Sequence, residues 1–122
     1  MKNGFLKVAV TTPDLRVADC EYNKNQMVEK VKKMADEKVS LVCFPEFSLT
    51  GYTCGDLFLH DTLVEGAKDA LAAYCKETKP YEIVSVVGLP LDHNGKLYNV
   101  AAVVYGGKGF CFLAKKLSAK LQ

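Results

Sequence analysis

The strongest constraint on this chain is where an apolar run stops. Val39-Ser40-Leu41-Val42-Cys43-Phe44 reads as a strand, and Pro45 follows it at once. A proline cannot donate to a sheet ladder, so the strand is predicted to end there. The run is near-continuously apolar, which predicts burial on both faces. Glu46 therefore emerges at the carboxyl end of a strand, where open α/β sheets place their sites. A turn-rich loop with clustered functional groups follows, from Phe47 through Thr50, Gly51, Tyr52, Cys54 and Asp56 to Phe58.

The rest of the chain supplies alternating partners for that strand. Phe5 to Thr11 is β-rich and closed by Thr12-Pro13-Asp14, a first strand. Asn23 with Gln26 resembles a capping box, and Met27, Val31, Met34, Ala35 and Val39 recur at helical spacing. A helix is expected over residues 23–38. Thr62 with Glu65 resembles a second capping box ahead of Leu63, Ala67, Ala70, Leu71 and Tyr74, and Lys79-Pro80 closes that helix. Tyr81 to Leu89 is a third strand. Asn94-Gly95 carries a strong hairpin signal, because both residues accept positive φ. It leads to a strand from Leu97 to Tyr105, and the Gly106-Gly107 turn leads to another from Phe110 to Lys115. The order β-α-β-α-β-β-β implies an α/β domain over residues 1–122, with a mixed sheet and helices on one face. Leu117 to Gln122 matches no element.

Composition narrows the function classes. A chain of 122 residues with 49% hydrophobic and 25% charged residues is ordinary for a globular domain. No apolar run reaches membrane-spanning length, and the first residues lack a signal-peptide pattern, so the cytoplasm is the expected compartment. Five cysteines leave one over in any disulfide scheme, and Cys43, Cys75 and Cys111 read as reduced core thiols. There is no Cys/His zinc spacing, and no metal is expected. Asp56, His60 and Asp61 read as helix-start chemistry, with Asp61 or Thr62 as the cap. His93 reads as a surface turn residue. Lys30, Lys32 and Lys33 alternate with Glu29, Asp36 and Glu37, a solvated helix face, so nucleic acid is disfavoured. Gly106, Gly107 and Gly109 do not open a helix and are not a phosphate cradle.

Several ordered segments together resemble the nitrilase superfamily of carbon–nitrogen hydrolases. They are Val17 to Asn23, Val39 to Glu46, Leu49 to Phe58, Val87-Gly88-Leu89-Pro90-Leu91 and Gly95-Lys96-Leu97-Tyr98-Asn99. The Gly51-Tyr52-Thr53-Cys54-Gly55-Asp56-Leu57 block is similar to the glutaminase domain of glutamine-dependent NAD synthetases. The resemblance covers the chain to about Lys115 and implies an α-β-β-α sandwich, of which this chain holds the N-terminal half.

It also implies roles for named residues. Amide hydrolysis in the family uses a Glu-Lys-Cys triad in which a thiolate attacks the carboxamide, a glutamate moves protons and a lysine stabilises the oxyanion. Glu46 matches the glutamate. Lys115 is the better match for the lysine and Lys116 the runner-up, because Ala114-Lys115-Lys116 replaces the family's Pro-Lys. Tyr52 matches a glutamine-pocket residue and Asn99 a supporting one. No cysteine stands in the nucleophile's context, and Cys54 belongs to the loop after the glutamate. The implied parent enzyme hydrolyses glutamine and passes ammonia to a separate synthetase domain that uses ATP and Mg to make NAD. This chain is expected to bind no cofactor itself. Its alternatives are a truncated, non-catalytic homo-oligomer, formed because half a sandwich leaves a sheet face uncovered, or an amidase of another nitrilase branch.

Overall fold

The computed structural model describes residues 6–51 and 61–117, with positions 61, 62 and 111–117 described by their backbone alone. Along the chain run β1 (Val8–Val10), α1 (Cys20–Asp36), β2 (Leu41–Cys43), α2 (Asp61–Thr78), β3 (Val84–His93), β4 (Lys96–Tyr105) and β5 (Lys108–Leu117). The strands form one sheet in sequence order. β1, β2 and β3 are parallel, while β3–β4 and β4–β5 are antiparallel. Two βαβ crossovers thus lead into a meander, the order expected from the periodicity. No helix among the described residues is long and apolar enough to cross a membrane.

The strand boundaries shift for local reasons. β1 and β2 are only three residues long, because Pro13 and Pro45 end the extended runs beyond them. β3 and β4 are ten residues each, longer than their apolar runs, because the hairpin zips to its turn. His93 pairs with Lys96, and Asn94 and Gly95 hold φ of 52° and 75° between them. These are the left-handed values that an Asn-Gly hairpin turn requires.

The two helices pack on one face of the sheet. Met27 and Val31 from α1 and Ala67, Ala70 and Tyr74 from α2 close over Val42, Val87, Leu89, Val100, Ala102 and Val104. The Tyr74 ring meets Phe44 edge-on at 6.4 Å, and its hydroxyl donates to Ser85 Oγ at 2.8 Å. Lys24 and Glu77 join the helices at 2.7 Å.

Two expectations are corrected. The α1 cap is Asp19, whose carboxylate accepts from the Tyr22 amide at 3.1 Å, so Asn23 lies inside the helix. Asn23 is fully buried there and serves the neighbouring loops instead. The second correction concerns β2. Val42 is buried among the helices, but Leu41 and Cys43 are half-buried on the opposite face. Among the described residues no helix lies against that face, so an apolar run did not mean full burial on both sides. α2 begins at Asp61, which places Asp61 and Thr62 in its first turn; what precedes them lies outside the described residues.

Candidate active site

The site is built by a turn that leaves β2 and bends across β3. Phe44 donates its amide to Val86 O at 2.9 Å, the last parallel ladder bond before Pro45. Residues 45–51 then coil tightly. Ser48 N–H donates to Pro45 O at 3.1 Å, and Gly51 N–H to Phe47 O at 2.9 Å. Phe47 holds φ of 56°, a left-handed value that is costly for a non-glycine and marks a locally constrained backbone.

The turn is clamped to β3 at Gly88. Leu49 N–H donates to Gly88 O at 2.9 Å, and Gly88 N–H donates to Ser48 Oγ at 3.0 Å. A Cβ at position 88 would stand 2.4 Å from the Phe47 nitrogen and 3.0 Å from Pro45 O, so only glycine admits this approach. A second clamp comes from α1. Asn23 Oδ1 accepts from Arg16 N at 2.6 Å, while Nδ2 donates to Arg16 O at 2.7 Å and Leu49 O at 3.1 Å. One buried amide thus ties the loop before α1 to the turn after Glu46.

Held in this way, Glu46 is solvent-exposed at the carboxyl end of β2. It borders a cleft of about 210 Å³ lined also by Phe44, Val86, Gly88, Asn99 and Ala101. Asn99 is 5% exposed and lines the same cleft from β4. Lys115 lies opposite Asn99 in the β4–β5 register, and Lys116 opposite Tyr98. A register shift between Asn99 and Val100 sets that pairing, because Val100 faces Leu113 and one extra residue of β5 intervenes. Glu46 and Asn99 are therefore brought together, with position 115 beside Asn99 along the ladder. Tyr52 and Cys54 lie outside the described residues.

Ser48, Gly88 and Asn23 were not singled out for this work from the sequence. Asn23 had a legible signal: it stands four residues before Met27 and eight before Val31, a polar residue on the buried stripe. His93 is exposed in its turn, as expected. Among the described residues no three His, Cys, Asp or Glu side chains gather where they could hold a metal ion.

A carboxylate thus stands at a strand end, held by a constrained turn beside a buried amide, in a chain whose segments resemble the carbon–nitrogen hydrolases. The chain belongs to that family: its profile, Carbon-nitrogen hydrolase, matches residues 7–118. Within it, the chain is similar to the glutamine-dependent NAD(+) synthetase of Mycobacterium tuberculosis, at 33% identity over 106 residues. That match covers 87% of this chain and 16% of the relative. Its fold resembles the solved glutamine-dependent NAD(+) synthetase of Cytophaga hutchinsonii, with a TM-score of 0.83 and 24% identity over 93% of this chain and 20% of that one. It also resembles an amidase from Nesterenkonia, with a TM-score of 0.75 and 15% identity, covering 98% of this chain and 46% of the amidase. The chain thus spans about a fifth or less of these NAD synthetases, and its fold is that of the nitrilase-type structures.

Proposed function

We propose that this chain is the N-terminal part of the glutamine amidohydrolase unit of a glutamine-dependent NAD synthetase. The observation that carries the reading is the convergence at the cleft: Glu46 from the β2 turn and buried Asn99 from β4 line one cavity, and Lys115 pairs with Asn99. Glu46 would take the proton from an attacking thiol and return it to the leaving ammonia. Lys115 would stabilise the oxyanion of the tetrahedral intermediate, and the register favours it over Lys116, since adjacent strand residues face opposite ways. Asn99 would support the site, and Tyr52 would contact glutamine, as the resemblance implies. The attacking thiol is not among the five cysteines of this chain, so the isolated chain does not turn over glutamine. ATP and Mg serve the synthetase unit of the parent enzyme and not this cleft. A cytoplasmic setting and self-association of the isolated chain belong to the same reading.

The test is a chimera in which residues 7–117 replace the matching segment of a glutamine-dependent NAD synthetase. Glutamine-driven and ammonia-driven NAD formation are measured side by side. Glu46→Gln and Lys115→Ala should each abolish the glutamine-driven rate and leave the ammonia-driven rate intact, while Lys116→Ala should spare both. A chimera in which Glu46→Gln retains glutamine-driven synthesis would refute the assignment. The isolated chain should release no ammonia from glutamine above its own Glu46→Gln variant.

A further inference from the structure

Asn99 is 5% exposed, lines the Glu46 cleft, and its side-chain amide has no hydrogen-bond partner among the described residues. Buried amides in native folds are almost always paired. Asn23 shows the contrast, since its amide makes three hydrogen bonds to backbone. No described side-chain nitrogen or oxygen is both sealed from solvent and unpaired. The small exposure of Asn99 therefore lies at its amide, and the cleft is what that amide meets.

The register fixes where Asn99 points. Val100 and Ala102 enter the core beneath the helices, so Asn99 and Ala101 stand on the other face of β4. Gly88 pairs with Ala101 and Pro90 with Asn99, and the Glu46 turn comes down on that same face at Gly88. The free amide and the carboxylate thus share one small space.

The cleft is narrow in size and in chemistry. Its volume of about 210 Å³ is below the ~300 Å³ at which pockets enclose whole drug-sized ligands, so it takes the end of a small molecule. Phe44, Val86, Val100 and Ala101 make the wall apolar, and Glu46 and Asn99 are its polar side chains. An ionised carboxylate only accepts hydrogen bonds, whereas a side-chain amide both donates and accepts. A ligand group that suits both needs N–H donors and a carbonyl acceptor on one compact frame. A carboxylate has no donor and is repelled by Glu46. An ammonium has no acceptor for the Asn99 N–H. A primary carboxamide has both.

We propose that Asn99 contacts the substrate directly. Its Nδ2 donates to the carbonyl oxygen of a primary carboxamide, and its Oδ1 accepts one N–H of the same group. The second N–H of that group is left for Glu46. Asn99 thus selects an amide over an acid or an ester at the carbon that is attacked. The carboxylate product has no N–H to offer and faces Glu46, which favours its release. This deepens the proposed function and rests on it for the identity of the substrate as glutamine.

The first experiment titrates the 122-residue chain with propionamide and, separately, propionate, and follows side-chain amides by NMR. The NH2 pair that disappears in Asn99→Ala should move saturably with propionamide and stay fixed with propionate. The Asn23 and Asn94 pairs should move with neither. The second uses the chimera and compares glutamate release from glutamine and from glutamate γ-methyl ester. Asn99→Ala should lower the amide-to-ester ratio of kcat/KM by at least ~10-fold, because the ester has no N–H for the lost acceptor. A residue that only shaped the backbone would slow both substrates alike. Asn99 signals that ignore propionamide overturn the proposal, as does an equal response to propionate or an unchanged ratio. Propionamide binding involves no turnover, and Glu46→Gln reads the proton transfer, so either reading can fail alone.

Discussion

Replacing Asn23 with alanine should uncouple the Glu46 turn from α1. The side chain is fully buried and makes three hydrogen bonds, to Arg16 N, Arg16 O and Leu49 O. Each net bond is worth ~1 kcal/mol, which gives a loss of ~3 kcal/mol. Alanine returns ~0.5 kcal/mol through its better helix propensity. Arg16 O also keeps the Asp19 amide at 3.3 Å, which softens the loss at that atom. The net destabilisation is then ~2–3 kcal/mol. With an m-value of ~1.5–2 kcal/mol per molar urea for a chain of this size, the unfolding midpoint should fall by ~1–2 M. Urea titration followed by circular dichroism at one fixed protein concentration reads this directly. Asn23→Asp should cost at least as much at neutral pH: it keeps the acceptor for Arg16 N–H but turns a carboxylate toward two carbonyls. A midpoint shift equivalent to less than ~1 kcal/mol in Asn23→Ala would refute the reasoning, because solvent would then be replacing the amide and the tie would be dispensable.

Gly88→Ala should cost ~2–4 kcal/mol, since the added methyl meets the Phe47 nitrogen at 2.4 Å and backbone must move; amide shifts at residues 45–49 in NMR spectra should change more than those of α1. Burial pushes the Tyr74 phenol above its ordinary range, against the opposing Ser85 hydrogen bond. The folded state therefore keeps a proton that the unfolded chain loses above ~pH 10, and stability should fall with rising pH there by up to ~1.4 kcal/mol per unit. Below that pH this contribution is fully present; Tyr74→Phe should flatten the alkaline slope, and an unchanged slope would sink the assignment. At the helix pair, Glu77→Gln should destabilise by only ~0.5–1 kcal/mol in urea titrations, because Glu77 is 43% exposed and the Lys24 ammonium keeps its second partner, Asn25 Oδ1 at 2.7 Å. Lys24→Met should stay within ~1 kcal/mol of the wild type, since an apolar stem can fill the same space.

The order of elements was legible because each local signal acts alone. Pro45 ends β2 whatever surrounds it, Asn94-Gly95 turns the hairpin, and the spacing of Met27 and Val31 places one face of α1 inward. Glu46 was legible as a carboxylate at a strand end for the same reason: that end is set by its own proline. Asn23 was misread as a cap because its identity suits both a helix start and a buried tie, and only the position of Leu49 O decides between them. The covered side of β2 was misread because an apolar run reports what a strand can bury and not what lies against it.

The sequence by itself determined the α/β alternation, the hairpin, the end of β2 and the family, since these rest on backbone constraints and on short ordered motifs. Tertiary structure alone decided that Gly88 and Asn23 hold the Glu46 turn, and it set Asn99 and Lys115, both expected from the resemblance, in the Glu46 cleft and opposite Asn99 in the register. It also decided that, among the described residues, both helices lie on one face of the sheet. Each of these depends on register and on close approach between segments far apart in the chain. A one-residue slip at the β4–β5 bulge would set Lys116 opposite Asn99 in place of Lys115 without changing a single local propensity.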